Sequence, residues 1–523
     1  MRRLPRGTLL TATVFAASSV ASCGGSTKEI PPVGEVLVVV DTDMPVPAFV
    51  NRLRIDLYTA SGTWYESRDI SRSKATDWPT SFGVYLADPA KEQSTVIRLR
   101  AYIEGEVRDY RGERYAPRPD PKKAPFSLAH VPDATDMPRL VRDDGSDITP
   151  ATEPAPLLTI DRLVRVHVTP DAHSAVRIVL HGTCIGTMAD VANSASCVDQ
   201  ENVLVPLNDE PTIADTSVPA TSLAGSFSPP LPCTATPRPA STTSNGAPLF
   251  DDEVCVDGRM FLFGSDRAFG LSERDDVPRR VAILPPFRMD RFEVTIGRWR
   301  AALAQGFKPT IGPVINDGPV PSQSADPADN AICTWSTKPL GREDFPLNCV
   351  AYESARAFCN FYGGDLPTEA QWEYVAASAG RDHPTPFPWG GDANQQIPCG
   401  RAALARGPFP FDNVCNLDAK HFGPIAVNGL AGPDGDVSLG LGVVNLMGNV
   451  IELVSDSWAS FSSNCWAGQP LESPTCDAKG LGVQVAARGG SWYSSAAFDG
   501  TRLPLPFISI GNQVGFRCVR PGT

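Results

Sequence analysis

The sequence predicts an α+β fold in which a β-rich N-terminal half precedes an irregular, loop-rich C-terminal half. Three observations support this: apolar residues alternate with period 2 at short intervals before residue 185, prolines number 50 in 523 residues, and helical spacing of apolar residues occurs in a short segment after residue 350. Alternation is typical of strands that bury one face. The proline excess indicates connectors and loops rather than helical bundles.

Length and charge restrict the function classes. A chain of 523 residues predicts two to four domains, at about 100–200 residues each. The net charge is −13, so a dedicated nucleic-acid binder, which usually has a basic surface, is not expected. Six histidines restrict histidine-rich metal chemistry.

The N-terminal residues predict export and a lipid anchor. Three arginines precede residues 8–20, an apolar stretch too short to span a bilayer. The Val-Ala-Ser-Cys that follows resembles the lipobox of bacterial lipoproteins, which implies cleavage before Cys23 and its lipidation. We therefore assign 1–22 as a signal peptide and 23–34 as a lipidated tether in the cell envelope, with Gly24 favouring the outer membrane. The alternative is a plain secretory signal with Cys23 unmodified.

The thirteen cysteines are an odd number, and a lipidated Cys23 would leave twelve. An even number in an exported chain indicates disulfides. Local spacing suggests five pairs: Cys184–Cys197, Cys233–Cys255, Cys333–Cys349, Cys399–Cys415 and Cys465–Cys476. This leaves Cys359 with Cys518, although spacing alone does not fix the connectivity. No CxxC pair is present, so zinc is not expected.

Composition divides the chain beyond the tether into three parts. Residues 35–208 contain the alternating segments, separated by turn residues, and are expected to form a sandwich-like region of one or two domains. Residues 209–250 are rich in Pro, Ser, Thr and Ala, a composition that cannot bury enough apolar surface to offset chain entropy. We expect an extended linker there and a second domain over 251–523.

The C-terminal domain carries a series of motifs in a fixed order. They are MFLFGSD (260–266), PPFRMDRFEVTIGRWRAAL (285–303), PLNCVAYESARAFCNFYGGDLPTEAQWEYVAA (346–377), FPWGGD (387–392), VNLMGNVIELVSDSW (444–458), ARGGSWYSS (487–495) and VGFRCVR (514–520). Together they resemble the sulfatase-modifying factor family, whose founding member is the formylglycine-generating enzyme. The resemblance implies an irregular α+β fold related to C-type lectins, and it implies the disulfide between Cys359 and Cys518.

Two helices are expected within these motifs. Residues 351–361 place apolar side chains on one face at the i, i+4 and i+7 positions. Thr368 can cap a second helix, whose first turn contains Glu369 near the positive end of the helix dipole.

The segment from Asn445 to Glu452 is the best candidate for a metal site. In formylglycine-generating enzymes the matching segment binds calcium through an Asn side chain, two backbone carbonyls and a Glu. The corresponding residues here are Asn445, Gly448, Val450 and Glu452. Calcium takes about six to eight oxygen ligands of mixed type, so we expect it as a cofactor. The alternative is a turn in which Glu452 caps or pairs locally.

The resemblance also implies a copper site. In the enzyme, two cysteines five residues apart after a GGS triplet bind copper(I), and the matching positions here hold Ser494 and Asp499. Copper(I) requires soft thiolate ligands, so copper is not expected and neither residue is assigned a catalytic role. A related branch makes sulfoxides with iron held by three histidines of an additional helical domain, which does not match the β-rich half.

These residues leave more than one function open. The first is a lipid-anchored envelope protein whose non-catalytic domain binds a glycan or a peptide. Its groove would be lined by Trp492, Tyr493, Ser494, Arg502 and Phe507, with a core position as the alternative for Trp492. The second is an active oxidoreductase of the formylglycine-generating class with an altered metal site. A third is a structural role in an envelope complex.

Overall fold

The computed structural model describes residues 34–523 with internal gaps. The residues outside the description are 1–33, 63, 110–151, 265–277, 319–331, 380, 382, 392–399, 405, 407–422, 467, 469, 478–482, 495–501 and 507–509. The signal peptide, Cys23, the pair Cys399–Cys415, Asp499 and Phe507 therefore lie outside the described residues. In the part that is described, no helix has the length and apolar character needed to cross a membrane.

The N-terminal half is built from strands that pair in two main sheets. The strands are β1 Glu35–Thr42, β2 Arg52–Thr59, β3 Trp64–Ser71, β4 Thr80–Tyr85, β5 Gln93–Tyr102, β6 Val107–Asp109, β7 Thr152–Pro154, β8 Ile160–Val168, β9 His173–Leu180, β10 Ala195–Ser196 and β11 Val205–Pro206. One sheet has the order β4-β1-β9 and the other β3-β2-β5-β8. Strands β1 and β9 are parallel, and the remaining pairs in these two sheets are antiparallel.

The core of this half lies between the two sheets, as the alternation predicts. Val38 and Val40 of β1 are fully buried in the same apolar cluster as Ile55 of β2, Leu99 of β5 and Val166 of β8. The cluster takes every second residue of these strands, so each sheet contributes one face. The predicted β-rich, sandwich-like region is therefore present.

The segment 209–250 runs along both halves of the molecule without a helix or a paired strand of its own. Near its start, the Ile213 N–H donates to Ala175 O at 2.8 Å. Further along, the Thr234 N–H donates to Gly522 O at 3.0 Å. Hydrogen bonds therefore hold this segment to both halves of the molecule.

The described part of the C-terminal half combines short strands with three α-helices, a π-helical turn at Tyr374–Ser378 and many loops. The strands are β12 Glu253–Val256, β13 Met260–Phe263, β14 Arg280–Ile283, β15 Phe287–Asp290, β16 Ile451–Ser457, β17 Leu471–Glu472, β18 Gln484–Arg488, β19 Arg502–Pro506, β20 Val514–Gly515 and β21 Val519–Pro521, and the helices are α1 Ile296–Ala304, α2 Tyr352–Phe361 and α3 Glu369–Glu373. They form the sheets β12-β15-β21, β13-β14-β17 and β19-β18-β16-β20. The fold class is therefore α+β.

Both predicted helices are present. Ala351 is the N-cap of α2, so the helix begins one residue later than its apolar pattern suggested. The Thr368 side chain accepts a hydrogen bond from the Gln371 N–H, and the Gln371 side chain accepts one from the Thr368 N–H. This reciprocal arrangement satisfies two backbone donors at the start of α3.

The two halves pack against each other. Met260, Leu262 and Val281 of the C-terminal half belong to the apolar cluster of the sandwich. Arg279 forms an ion pair with Glu106 at 2.6 Å next to this contact. The packing therefore buries apolar surface from both halves in one cluster.

Candidate functional site

The turn that precedes β16 positions the predicted metal ligands. Asn445, Gly448 and Asn449 all have positive φ angles, of 59°, 100° and 57°. A Cβ atom at Gly448 would lie 2.7 Å from Ala403 O, so only glycine fits there. The chain therefore makes a tight turn before β16, and the lack of space for a side chain at position 448 restricts the sequence of that turn.

Two asparagines of this turn converge on one buried acid. Asn445 Nδ2 donates to Glu293 Oε2 at 2.9 Å and to Val427 O at 3.0 Å. Asn449 Nδ2 donates to Glu293 Oε1 at 2.8 Å. Because both donors of the Asn445 amide are used, its oxygen faces the other way, and Asn445 Oδ1 is buried with no hydrogen-bond partner among the described residues.

Glu452 lies at the same turn but is paired. Its two carboxylate oxygens accept hydrogen bonds from Arg517, Nε at 2.6 Å and Nη2 at 2.5 Å. The indole N–H of Trp372 donates to Glu452 Oε2 at 2.8 Å. The carboxylate thus has a complete set of charge-assisted partners, which is the local pairing that the sequence offered as the alternative to calcium binding.

A third buried acid, Asp436, approaches this turn from the preceding loop. Its Oδ2 accepts a hydrogen bond from the Met447 N–H at 2.5 Å, and its backbone carbonyl accepts one from the Asn445 N–H at 2.9 Å. Asp436 Oδ1 is buried and has no hydrogen-bond partner among the described residues. Sequence reasoning missed Asp436 because it lies in a Gly-Pro-Asp-Gly-Asp stretch that is typical of an exposed turn.

Burial raises the pKa values of both unpaired acids. Burial raises the pKa of Glu293 to about 7, with Arg517 opposing the shift and Glu452 adding to it. Burial also raises the pKa of Asp436 well above its ordinary value, and the negative charge of Glu293 contributes in the same direction. Neither acid has an ion-pair partner of its own in the described part of the chain, since the nearby Arg517 is already paired with Glu452.

The position that matches a copper-binding cysteine of the family lies in a small polar patch. Ser494 Oγ accepts a hydrogen bond from the Ser491 N–H at 3.0 Å. The Ser491 hydroxyl donates to Gln513 Oε1 at 2.8 Å. Tyr493, Ser494 and Gln513 are half-buried. The atoms that could act as metal ligands at this position are hydroxyl and amide oxygens, which do not suit copper(I).

The other residues proposed for a groove are placed differently. Trp492 is fully buried against Ile332 and Tyr493, so it belongs to the core and does not line a groove. The Arg502 guanidinium forms an ion pair with the buried Glu369 and lies 4.2 Å from the Phe461 ring centre. Arg502 is therefore also a structural residue, and the described part of the predicted groove reduces to Tyr493 and Ser494.

Ten of the cysteines fall within the described residues, and all ten form disulfides. The bridges are Cys184–Cys197, Cys233–Cys255, Cys333–Cys349, Cys359–Cys518 and Cys465–Cys476. They include four of the locally spaced pairs and the long-range pair. None of these ten sulfurs is a free thiolate that could bind a metal.

Comparison with known families identifies the C-terminal domain. A model of the sulfatase-modifying factor enzyme 1-like domain matches residues 240–521, more than half of the chain. The chain belongs to this family. The match begins inside the 209–250 segment, ten residues before its end.

Relatives within the sulfatase-modifying factor family include named enzymes. The chain is 36% identical to the formylglycine-generating enzyme of Mus musculus over 34% of this chain and 45% of the relative. It is 25% identical to that of Thermomonospora curvata over 51% of this chain and 92% of the relative. It is also 27% identical to the inactive C-alpha-formylglycine-generating enzyme 2 of Mus musculus, over 51% and 84% respectively. The chain spans less than half the length of the mouse and bovine enzymes that it matches.

Solved structures give more distant similarities. PvdO from Pseudomonas aeruginosa aligns with 55% of this chain and 100% of its own, at 20% identity and a TM-score of 0.38. Treponema denticola variable protein 1 aligns with 55% of this chain and 100% of its own, at 16% identity and a TM-score of 0.37.

Proposed function

We propose that this chain is an exported, lipid-anchored envelope protein whose sulfatase-modifying factor domain binds a glycan or a peptide and does not generate formylglycine. The observation that carries the proposal is the pair of residues at the family's copper positions, Ser494 and Asp499. Neither residue provides the soft thiolate that copper(I) requires.

The surroundings of Ser494 support binding rather than oxidation. The hydroxyls of Ser491 and Ser494 and the amide of Gln513 form one hydrogen-bonded patch beside the half-buried Tyr493 ring. An aromatic face with neighbouring hydroxyl and amide groups is suited to a sugar ring or a peptide backbone. The mouse relative above that is named inactive C-alpha-formylglycine-generating enzyme 2 supports a role without this activity.

The anchor is the part of the proposal that rests on the N-terminal sequence. Lipidation of Cys23 would place the folded part of the chain at a membrane of the cell envelope, with Gly24 favouring the outer membrane, through the short tether that ends at residue 34. Two or more acyl chains are needed for stable attachment. Replacing Cys23 by serine should release the chain from the membrane fraction into the soluble fraction, measured by detergent phase partitioning.

The catalytic alternative is tested by measuring copper(I) binding and oxygen consumption. The wild-type chain should bind no stoichiometric copper(I) and should consume no oxygen with a cysteine-containing sulfatase peptide. The matched variant carries both Ser494→Cys and Asp499→Cys, and it should gain copper(I) binding because it restores two thiols at the family spacing. Tight one-to-one copper(I) binding with peptide conversion by the wild type would establish an oxidoreductase with an altered metal site instead.

The binding function itself is tested with two panels of immobilised probes, one of glycans and one of extended peptides. Saturable binding to either panel, weakened at least tenfold by Tyr493→Ala and unchanged by Tyr85→Ala, is expected. Tyr85 provides the control because it is an exposed aromatic residue on the sandwich. Absence of binding on both panels, combined with specific recovery of an envelope protein by the sandwich half, would favour the structural role.

A further inference from the structure

The outer faces of the two sandwich sheets differ in chemistry. In the β3-β2-β5-β8 sheet, the residues of β2 that alternate with core positions include the charged Arg54 and Asp56. Strand β1 of the other sheet does not alternate in this way. Its residue Val38 belongs to the core, and the outward positions on either side of it hold Leu37 and Val39. The face of an antiparallel sheet that points away from the core is usually polar, so this apolar face requires an explanation.

The apolar character continues across this sheet near the start of β1. Tyr85 of β4 lies opposite Glu35, and Ala175 of β9 lies opposite Leu37, so these residues share the outward face. Ile213 of the linker extends this face, because its N–H and its carbonyl each form a 2.8 Å hydrogen bond with the backbone of Ala175. Tyr85 is 56% exposed, Ile213 is 38% exposed and Leu37 is half-buried. These three side chains form an outer apolar patch.

Charged side chains beside the outer apolar patch have partners. Glu35 Oε2 lies 3.7 Å from His173 Nδ1. Arg177 forms an ion pair with Asp215 at 2.9 Å and also donates to the Ser217 carbonyl at 3.3 Å. A paired charge loses less on desolvation than an isolated one. These pairings therefore lower the cost of bringing this face against an apolar medium.

The polypeptide that leads to the proposed lipid anchor enters the fold beside this patch. Glu35 is the first residue of β1, the central strand between β4 and β9. The Gly34 carbonyl accepts a hydrogen bond from the Leu86 N–H at 3.3 Å, which holds the entry point against the end of β4. Residues 24–34 separate Cys23 from Glu35, and eleven residues span about 40 Å at most. A bilayer that holds Cys23 is therefore within reach of the outer apolar patch.

We propose that the outer apolar patch of Leu37, Tyr85 and Ile213 lies on the lipid bilayer to which Cys23 is attached. Tyrosine is enriched where a protein meets the membrane–water interface, because its ring is apolar and its hydroxyl is polar. Aliphatic side chains beside it add apolar area that a bilayer surface can bury. The proposal rests on the proposed lipid anchor, and the patch is separate from the glycan or peptide site around Tyr493.

The experiment couples the full mature chain, residues 23–523, to phosphatidylcholine vesicles through Cys23 and a maleimide lipid. Hydroxyl-radical footprinting compares the oxidation of Tyr85 on these vesicles with its oxidation in the Cys23→Ser chain in solution. We expect at least fivefold less oxidation of Tyr85 on the vesicles, because the bilayer covers its ring. Phe361 is the internal reference, since it is 41% exposed in the C-terminal half, and it should be oxidised equally in both samples.

Two variants of the linker locate the contact. Ile213→Asp places a charge in the outer apolar patch, and it should restore the oxidation of Tyr85 on vesicles to at least half of its value in solution. Leu231→Asp makes a matched change at a residue that is 52% exposed and bridges to Gly258 of the C-terminal half, and it should leave Tyr85 protected. Both substituted side chains are exposed, so both variants should fold, which circular dichroism checks.

Three results would overturn the proposal. Equal oxidation of Tyr85 on vesicles and in solution would mean that the patch faces away from the bilayer. Equal protection of Tyr85 and Phe361 would mean that the vesicle shields the whole chain. Protection of Tyr85 that appears without vesicles as the protein concentration rises would assign the patch to a second copy of the chain.

The lipid anchor is tested separately, by the mass of the peptide that contains Cys23 in protein taken from cell membranes. An unmodified Cys23 there would contradict the proposed function. The vesicle experiment uses a synthetic lipid on Cys23, so its result decides whether the patch contacts a bilayer in either case.

Discussion

The two halves of the molecule each bury a cluster of charged residues, and the clusters differ in how their charges balance. The cluster in the sandwich contains three arginines and three acids: Arg54, Arg98, Arg100, Asp56, Asp161 and Glu153. The cluster in the C-terminal half contains three acids and one arginine: Glu293, Asp436, Glu452 and Arg517. In the first cluster the numbers of arginines and acids are equal, so it is called complete below. In the second cluster the acids outnumber the arginine, so it is called incomplete.

The contacts of the sandwich cluster show why it is a closed network. Arg98 binds Asp161 with Nε at 2.9 Å and Nη2 at 2.6 Å. Arg100 bridges Asp56 and Glu153. The partners come from neighbouring strands and from β7, so the network fixes the register in which these elements pair.

The imbalance also displaces the pKa of Asp56 and the pKa of Glu293 in opposite directions. Burial alone would raise the pKa of Asp56, but the charges of Arg100 and Arg54 outweigh it and lower the pKa to about 2. Burial raises the pKa of Glu293 to about 7 because its closest arginine is already paired. A complete cluster therefore stabilises its charges, whereas an incomplete one favours a proton or a cation.

The largest expected effect comes from opening the complete cluster. Arg100→Met removes the guanidinium shared by Asp56 and Glu153 and leaves buried negative charge without a partner. We expect a loss of about 3–5 kcal/mol in the free energy of unfolding, measured by urea denaturation. The control is Arg177→Met, because the pair of Arg177 with Asp215 is exposed to solvent and should contribute little to stability. Equal losses of unfolding free energy in the two variants would show that the buried network contributes no more to stability than an exposed ion pair.

Acid should open the same cluster without a mutation. The folded-state pKa of Asp56 is lowered from 3.8 to about 2, so its contribution to stability is complete above about pH 4 and is lost as the pH falls toward 2. The loss is roughly 2 kcal/mol, at about 1.4 kcal/mol per pKa unit. The measurement compares unfolding free energies at pH 5 and pH 2.5 for the wild type and for Asp56→Asn. The variant should show a smaller decrease, and an identical decrease would assign the acid sensitivity to other carboxylates.

The sequence predicted the elements that depend on local patterns and missed the pairings that depend on the tertiary fold. The Thr368 cap and the strand alternation were readable because each is specified within a few residues. Sequence reasoning leaves Trp492 open between a groove and a core position, because its burial depends on Ile332, which is distant in sequence. Asp436 was missed because its loop has the composition of an exposed turn and its partner is Met447, whose N–H belongs to another motif.

The smallest expected effect, and the one with the opposite sign, tests the incomplete cluster. In calcium-free buffer with a chelator, Asp436→Asn should stabilise the protein by about 1–2 kcal/mol, because it removes a buried acid that has no cation and keeps the acceptor for the Met447 N–H. Urea denaturation at pH 7 measures the change, and Asp434→Asn at the exposed neighbouring position should leave stability within about 0.5 kcal/mol of the wild type. A loss of stability in Asp436→Asn under these conditions would mean that the Asp436 charge has a protein partner after all. The contrast between a complete and an incomplete cluster would then be wrong, whereas a gain without calcium and a loss in its presence would identify the cation as the missing partner.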